Sequence, residues 1–331
     1  MLTAVGLLAG CTLAQVGGLS RPPVKIGLFG QDFSPASREV IAREADVIVN
    51  HGFSWNVMEP APEQYDFGPA DVVDAFATDH GMEEIGVHFV WDQALLDDTP
   101  AWVLAIDDPD ELRAVLGRRA EGIFERYPGL DRIDVVNEPL EISGGGLYPN
   151  HFRQVLGDDY IAELFGIVRA AAPAGTELFV NENFVEYFPA KADGLVTLVQ
   201  GLLDAGVTVD GVGFQSHFMF GAPDFDLMRA TGERLEALGV KVFLTELDVP
   251  VAADVPDRPT VQAERYRRAV ETCLGWTTCD VINVWGVDDG HTWLDGVLGP
   301  GTDPLLYDRD RQPKPAYFAF REALLAARRG A

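Results

Sequence analysis

The chain has 331 residues, 47% of them hydrophobic, which is enough to bury one large core or two smaller ones. Fifty-two Asp and Glu stand against twenty-five Lys and Arg, for a formal charge of −27. Nucleic acid is therefore not expected as a partner, because binding a phosphate backbone needs a basic surface; a solvated, self-repelling exterior is the reading the charge supports.

The first ten residues, Met-Leu-Thr-Ala-Val-Gly-Leu-Leu-Ala-Gly, are too short to span a membrane. They suit the apolar part of a signal peptide. Leu8-Ala9-Gly10-Cys11 resembles the bacterial lipobox, in which the leader is cut ahead of a Cys that becomes lipidated, but the basic residues that usually precede such a leader are missing. An exported cell-surface or periplasmic lipoprotein, attached to the membrane only at Cys11, is the expectation; simple secretion and an incidental apolar start remain alternatives. Residues 11–23, with Gly17-Gly18 and Pro22-Pro23, read as a linker, residues 24–328 as one folded domain and 329–331 as a tail.

From Lys25 onward, short runs rich in Val, Ile and Phe alternate with longer segments of helical period, as in repeated βα units around a parallel sheet. The expected strands are 25–29, 45–50, 84–91, 133–137, 177–181, 211–215, 241–245 and 280–285. Helices are expected over 37–43, 69–80, 109–126, 150–172, 190–205, 224–238, 260–274 and 315–328; Pro315 suits the first turn of the last, which closes the chain with an amphipathic face. Eight parallel strands close a (β/α)8 TIM barrel of the α/β class. No composition shift marks a second domain, and a monomer is expected.

Strand ends carry the informative residues. Strand two ends at Asn50-His51, strand three at Trp91-Asp92, strand four at Asn137-Glu138 and strand five at Asn181-Glu182-Asn183. Strand six closes with Gln215-Ser216-His217, strand seven with Glu246-Leu247-Asp248 and strand eight with Trp285-Gly286-Val287-Asp288-Asp289. Each alone could be an ordinary loop start. Seven together at the C-terminal rim, where such barrels place their active sites, predict a polar cleft with aromatic walls, which suits a sugar. Alternation along a strand puts Gln215 with His217 on one face and Glu246 with Asp248 on another, so His217 can reach both carboxylates. Cys273 and Cys279 could be a short-loop disulfide or two reduced buried thiols. No His or further Cys stands beside them at ligand spacing, so no metal and no cofactor is expected.

Glycoside cleavage asks for two carboxyl groups, one to protonate the leaving oxygen and one to attack the sugar or activate water. The residues resemble glycoside hydrolase family 10, known chiefly for retaining endo-β-1,4-xylanases on a (β/α)8 barrel. Asp134-Val-Val-Asn-Glu-Pro is similar to its acid/base strand and Thr245-Glu-Leu-Asp-Val to its nucleophile strand. Gly211-Val-Gly-Phe-Gln-Ser-His-Phe is similar to its strand-six motif, and Val284-Trp-Gly-Val with Thr292-Trp-Leu to its strand-eight segment. The resemblance implies Glu138 as general acid/base and Glu246 as nucleophile. It implies His217 and Asp248 as the pair that orients the nucleophile, and Asn137 as the amide on the sugar 2-hydroxyl. Trp91, Trp285 and Trp293 become cleft walls, with Asn181, Gln215, Asn50 and His51 as polar contacts, and Cys273 with Cys279 matches a disulfide position. The implied partner is a β-linked polysaccharide or oligosaccharide, xylan first, with another β-linked glycan or an aryl β-glycoside as the alternative substrate; the alternative of another class is a catalytically weak surface glycan-binding protein.

Departures sit on one side of the expected cleft. The family's Glu-Asn and following Lys after strand two become Asn50-His51 and Ser54. Its Gly-His-Thr-Leu-Val-Trp-His becomes Gly86-Val-His-Phe-Val-Trp-Asp92, and the one-residue shift of His88 should turn that ring away from the cleft. Its Asn-Asp-Tyr-Asn in strand five becomes Asn181-Glu-Asn-Phe184.

Overall fold

The computed structural model describes residues 24–93 and 98–330, so the leader, the linker and Cys11 lie outside the described residues. Eight parallel strands close a barrel in chain order: β1 (Lys25–Phe29), β2 (Val47–Asn50), β3 (Glu83–Gly86), β4 (Arg132–Asn137), β5 (Glu177–Glu182), β6 (Gly211–Phe214), β7 (Lys241–Leu247) and β8 (Val281–Val284). Strand β8 pairs back onto β1, with Ile26 opposite Ile282. The helices are α1 (Pro35–Glu44), α2 (Trp55–Met58), α3 (Gly68–His80), α4 (Pro109–Arg126), α5 (His151–Leu156), α6 (Tyr160–Ala171), α7 (Pro189–Asp204), α8 (Phe225–Ala237), α9 (Arg258–Gly275), α10 (Leu294–Val297) and α11 (Pro315–Gly330). The expected barrel is present.

Val, Ile and Phe run through the strands because both faces are covered, one by the barrel interior and one by helices. Helix starts follow local chemistry. Asp108 accepts from the N–H groups of Asp110 and Glu111 ahead of α4, and Asp224 does the same for Asp226 and Leu227 ahead of α8. The single helix expected over 150–172 is two, because Gly157 takes φ +91° and ends α5. Cys273 and Cys279, at the end of α9 and before β8, are joined by a disulfide.

The N-terminal mouth of the barrel is sealed by charge. Arg132, 4% exposed, reaches Asp280 at 2.6 Å and Glu177 at 3.2 Å, and Lys241 pairs with the same two carboxylates. A buried guanidinium is tolerable only when paired in this way.

At the other mouth, β3 is shorter than expected. Its ladder partners on β4 end with Ile85 and Gly86, and two single bonds, Phe89 N to Asp134 O at 2.8 Å and Asn137 N to Val90 O at 3.0 Å, lead on to a bridge between Trp91 and Asn137. Arg119 of α4, 2% exposed, holds the segment between them: its guanidinium donates to the carbonyls of Phe53, His88 and Phe89 and lies 4.6 Å from the Trp55 ring. One cation and isolated backbone bonds thus hold the segment in place of a continuous ladder, and residues 87–90 fall outside regular strand alternation.

Asn50 is expected in the cleft and is not there. Its fully buried side chain donates to Ala70 O at 3.0 Å and to Glu84 Oε1 at 2.5 Å, and accepts from Gly52 N. The reason is local: a 3₁₀ turn over His51–Phe53 starts at once after β2, and Asn50 caps it. Replacing Asn50 by Ala leaves Gly52 N–H and Glu84 without these partners. The variant should lose roughly 1–3 kcal/mol in urea unfolding; an unchanged midpoint would refute this capping role.

Candidate active site

A cleft of about 460 Å³ opens at the C-terminal ends of the strands, and both Glu138 and Glu246 line it. Glu138 follows the last residue of β4 with φ +53°, a left-handed conformation uncommon for any residue but glycine. Its N–H donates to Asn181 O on β5, so the backbone there is pinned while the side chain turns into the cleft, 8% exposed. Strained backbone of this kind persists where surrounding contacts over-determine it.

A continuous run of amides joins the two carboxyl groups. Gln215 Nε2 donates to Glu138 Oε1 at 2.9 Å and to Asn137 Oδ1 at 3.0 Å. Asn181 Nδ2 donates to the same Asn137 oxygen at 3.0 Å and to Glu246 Oε1 at 2.5 Å. With its oxygen taking both donors, Asn137 keeps its NH2 for the cleft it lines. Thr245 Oγ1 donates to Asn181 Oδ1 at 2.7 Å, and Gly213 makes room for this pair: a Cβ there would stand 2.5 Å from both side chains.

Glu246, 4% exposed, is flanked by an imidazole. His217 Nε2 donates to its Oε2 at 3.1 Å, and His217 Nδ1 stands 2.9 Å from Asp248 Oδ2, which also accepts from Trp293 Nε1 at 2.9 Å. Burial pushes the Glu246 carboxyl up, but the His217 hydrogen bond and charge, the His88 charge and Asn181 outweigh it, and the carboxyl is held below its ordinary value. Burial pulls His217 down, yet Asp248 and then Glu246 push it up to about 10. The result is a buried anion held between a cation and an amide.

Of the residues expected to touch a ligand, Trp91, Gln215, Trp285, Trp293 and His51 line the cleft beside Asn137 and the two glutamates. Trp285 stacks on Phe29 with centroids 4.4 Å apart. Asn181 and Asp248 do not line it; both are fully buried behind Glu246 and His217, where they hold those groups. Asn181 is therefore corrected from a ligand contact to a support, because its short side chain is consumed by Asn137, Thr245 and Glu246.

His88 is corrected in the opposite sense. It lines the cleft, with Nδ1 2.5 Å from Asp134 Oδ2 and its ring against His51 and Trp91. The expectation failed because β3 ends at Gly86, so two-residue alternation no longer governs position 88. Asp92 accepts from His151 N at the start of α5, Glu182 is buried against Lys191, and Asp288 and Asp289 face Arg311 and Lys314, so these four rim carboxylates serve loops. Sequence reasoning missed the Asp134–His88 pair, Gln93, Thr245 and Gly213. A carboxylate inside an apolar strand, as at Asp134, was the one available signal.

Comparison with known proteins gives the same picture over the whole domain. Residues 27–323 match Glycosyl hydrolase family 10. Endo-1,4-beta-xylanase B of Thermotoga neapolitana is 29% identical over 291 residues, covering 86% of this chain and 82% of that protein. Native xylanase 10B of Thermotoga maritima superposes with a TM-score of 0.84 at 27% identity, covering 93% of this chain and 97% of the other. Xylanase 10B of Thermotoga petrophila RKU-1 in complex with xylobiose superposes with a TM-score of 0.83 at 28% identity, covering 92% and 94%.

The charge arrangement has a pH consequence. A carboxyl whose value is lowered on folding adds stability above its unfolded value, about 4.3, and that contribution is lost as pH falls through the lower folded value. His217, raised on folding, contributes fully below about 6.5 and loses its contribution as pH rises through about 10. Replacing His217 by Asn removes the cation, so Glu246 should take up its proton at higher pH, followed by carboxyl ¹³C NMR. An unmoved Glu246 titration would show that His217 does not hold its charge.

Proposed function

The chain belongs to Glycosyl hydrolase family 10, and on that premise we propose that it is a retaining endo-1,4-β-xylanase with Glu138 as general acid/base and Glu246 as nucleophile. The observation that carries this reading is the asymmetry of two carboxyl groups on one hydrogen-bonded run. Glu246 is buried and held below its ordinary value beside His217, whereas Glu138 sits on a left-handed turn at the cleft edge with an amide on one oxygen. One environment favours a permanent anion, and the other sets a carboxyl group at the cleft edge, the place a proton donor to the leaving oxygen has to occupy. The xylan assignment draws on the relatives, named as xylanases, and on a neighbour crystallised with xylobiose.

In the first step Glu246 attacks the anomeric carbon from below the sugar, forming a glycosyl ester as the bond to the leaving oxygen breaks and Glu138 gives that oxygen its proton. Water then attacks the same carbon, Glu138 takes the water proton, and the ester bond to Glu246 breaks. Two inversions restore the β configuration. The free NH2 of Asn137 is positioned to donate to the sugar 2-hydroxyl, a bond that strengthens as positive charge grows on the ring. The aromatic faces of Trp91, Trp285 and Trp293 supply the walls.

A second reading, hydrolysis of another β-linked glycan, has one specific observation in its favour. Ser54, where the family carries a Lys, hydrogen-bonds buried Asp98 and turns from the cleft, and His51 and His88 stand at the non-reducing side. The hydroxyl pattern read there differs from the family's usual one.

Proton NMR of fresh hydrolysate from xylotetraose should show the β-anomer first, followed by mutarotation, and an initial α-anomer would overturn the double displacement. Glu246→Ala should lower kcat by roughly 10⁴-fold or more with the fold intact by circular dichroism, the loss expected when a covalent step is removed.

A further inference from the structure

The leaving-group half of the cleft differs in kind from the other half. With Glu138 as the acid, a reading this inference rests on, the departing group lies beyond Glu138, over the loops that follow β4, β5 and β6. Those loops bring Ile142, Phe184 and Met219 to the cleft, and Phe220 stands directly behind Phe184 with centroids 4.8 Å apart. Ile142 is 41% and Phe220 55% exposed, so this apolar surface is not consumed by the core. The polar side chains beside it are partly spent on the protein. Gln93 donates its NH2 to the carbonyls of Glu138 and Leu140, and the Asn183 carbonyl oxygen takes the buried Lys191 ammonium at 2.6 Å. A sugar in this position would meet aromatic faces with few free hydroxyl partners.

Phe184 itself carries the strongest indication. It holds φ +56°, a left-handed conformation that Asn adopts readily and a bulky aromatic residue adopts only against strain. Asn is the residue that the resembling family motif has at this position. Backbone preference therefore argues against Phe, and so does folding, since the ring is only half-buried. What the ring does supply is a flat apolar wall facing the departing group, backed by Phe220 and, through it, by Tyr187 and Phe188 at 5.6 and 6.1 Å. The formal charge of −27 disfavours an anionic group there.

We infer that the leaving-group subsite favours a neutral aromatic aglycone, so that the enzyme cleaves phenolic β-glycosides as well as the xylan chain of the proposed activity. The chemistry is unchanged: the bond from the anomeric carbon to the phenolic oxygen breaks, Glu138 delivers its proton to that oxygen, and Glu246 takes the glycosyl group.

The test compares kcat/KM for phenyl β-xylobioside with that for xylotriose, and for phenyl β-cellobioside with cellotriose, in the native enzyme, Phe184→Asn and Phe220→Ala. Taking the aryl-to-sugar ratio in each protein, and then its change between proteins, cancels both the intrinsic reactivity of phenol and any loss of folded enzyme. Phe184→Asn suits the left-handed backbone and should fold. The ratio should fall roughly threefold to tenfold in Phe184→Asn, the range one aromatic contact supplies, and by a smaller factor in Phe220→Ala. A ratio unchanged in Phe184→Asn overturns the inference and leaves the hydrolase reading intact. Cleavage of the cellobiosyl pair alone overturns the xylan assignment while the ratio still decides the aglycone. Cleavage of none of the four compounds overturns both.

Discussion

A carboxylate that is 4% exposed must remain charged at the centre of this barrel, and the rest of the site is arranged around that requirement. An isolated buried carboxylate would take up a proton instead of bearing the desolvation cost. His217 prevents this, and it can do so only because Asp248 on its far side keeps the imidazole protonated despite complete burial. Asp248 Oδ2 in turn accepts from the Trp293 indole, which also forms part of the cleft wall. Charge, support and wall are one chain of contacts drawn from β6, β7 and the loop after β8.

The second set of contacts determines where the two carboxyl groups stand relative to each other. Gln215, Asn137 and Asn181 come from three neighbouring strands, and their amides interlock only if β4, β5 and β6 keep their register. The barrel enforces that register from outside the site, through the pairing of Asn137 with Asn181 and of Asn181 with Gly213. Gly213 then matters for what it lacks, since any side chain there would displace Asn181 and with it a hydrogen bond to Glu246. The ion network at the opposite mouth ties β3, β4, β5, β7 and β8 together where the cleft cannot.

Around this fixed centre the two halves of the cleft have diverged from the family pattern in different ways. Beside β2 and β3 the cleft carries His51 and His88, the latter held by Asp134 in a buried pair whose carboxyl burial pushes up to about 6. After β5 it carries Phe184 where the family motif has an amide, so the departures are not confined to one side of the cleft as the sequence led us to expect. Neither change touches the amide run, which is why bond chemistry and substrate preference can vary separately on this fold.

Sequence by itself determined the barrel, because eight Val- and Ile-rich runs buried on both faces have no other economical arrangement, whereas strand ends alone offered several rim carboxylates and only the resemblance of the motifs around Glu138 and Glu246 to a known family singled out that pair. His217 with Asp248 was legible too, although both stand just past β6 and β7, because a bridge between the two residues carries the pairing beyond the strand ends. Tertiary structure alone decided what lay past the regular strands. Asn50 became a cap because a 3₁₀ turn follows it, Asn181 became a support because three partners from neighbouring strands consume its amide, and His88 entered the cleft because β3 ends at Gly86 and Arg119, thirty-one residues away, helps hold the irregular segment that follows. Side-chain direction is a local property only while the backbone is periodic, and at the rim of this barrel it stops being so.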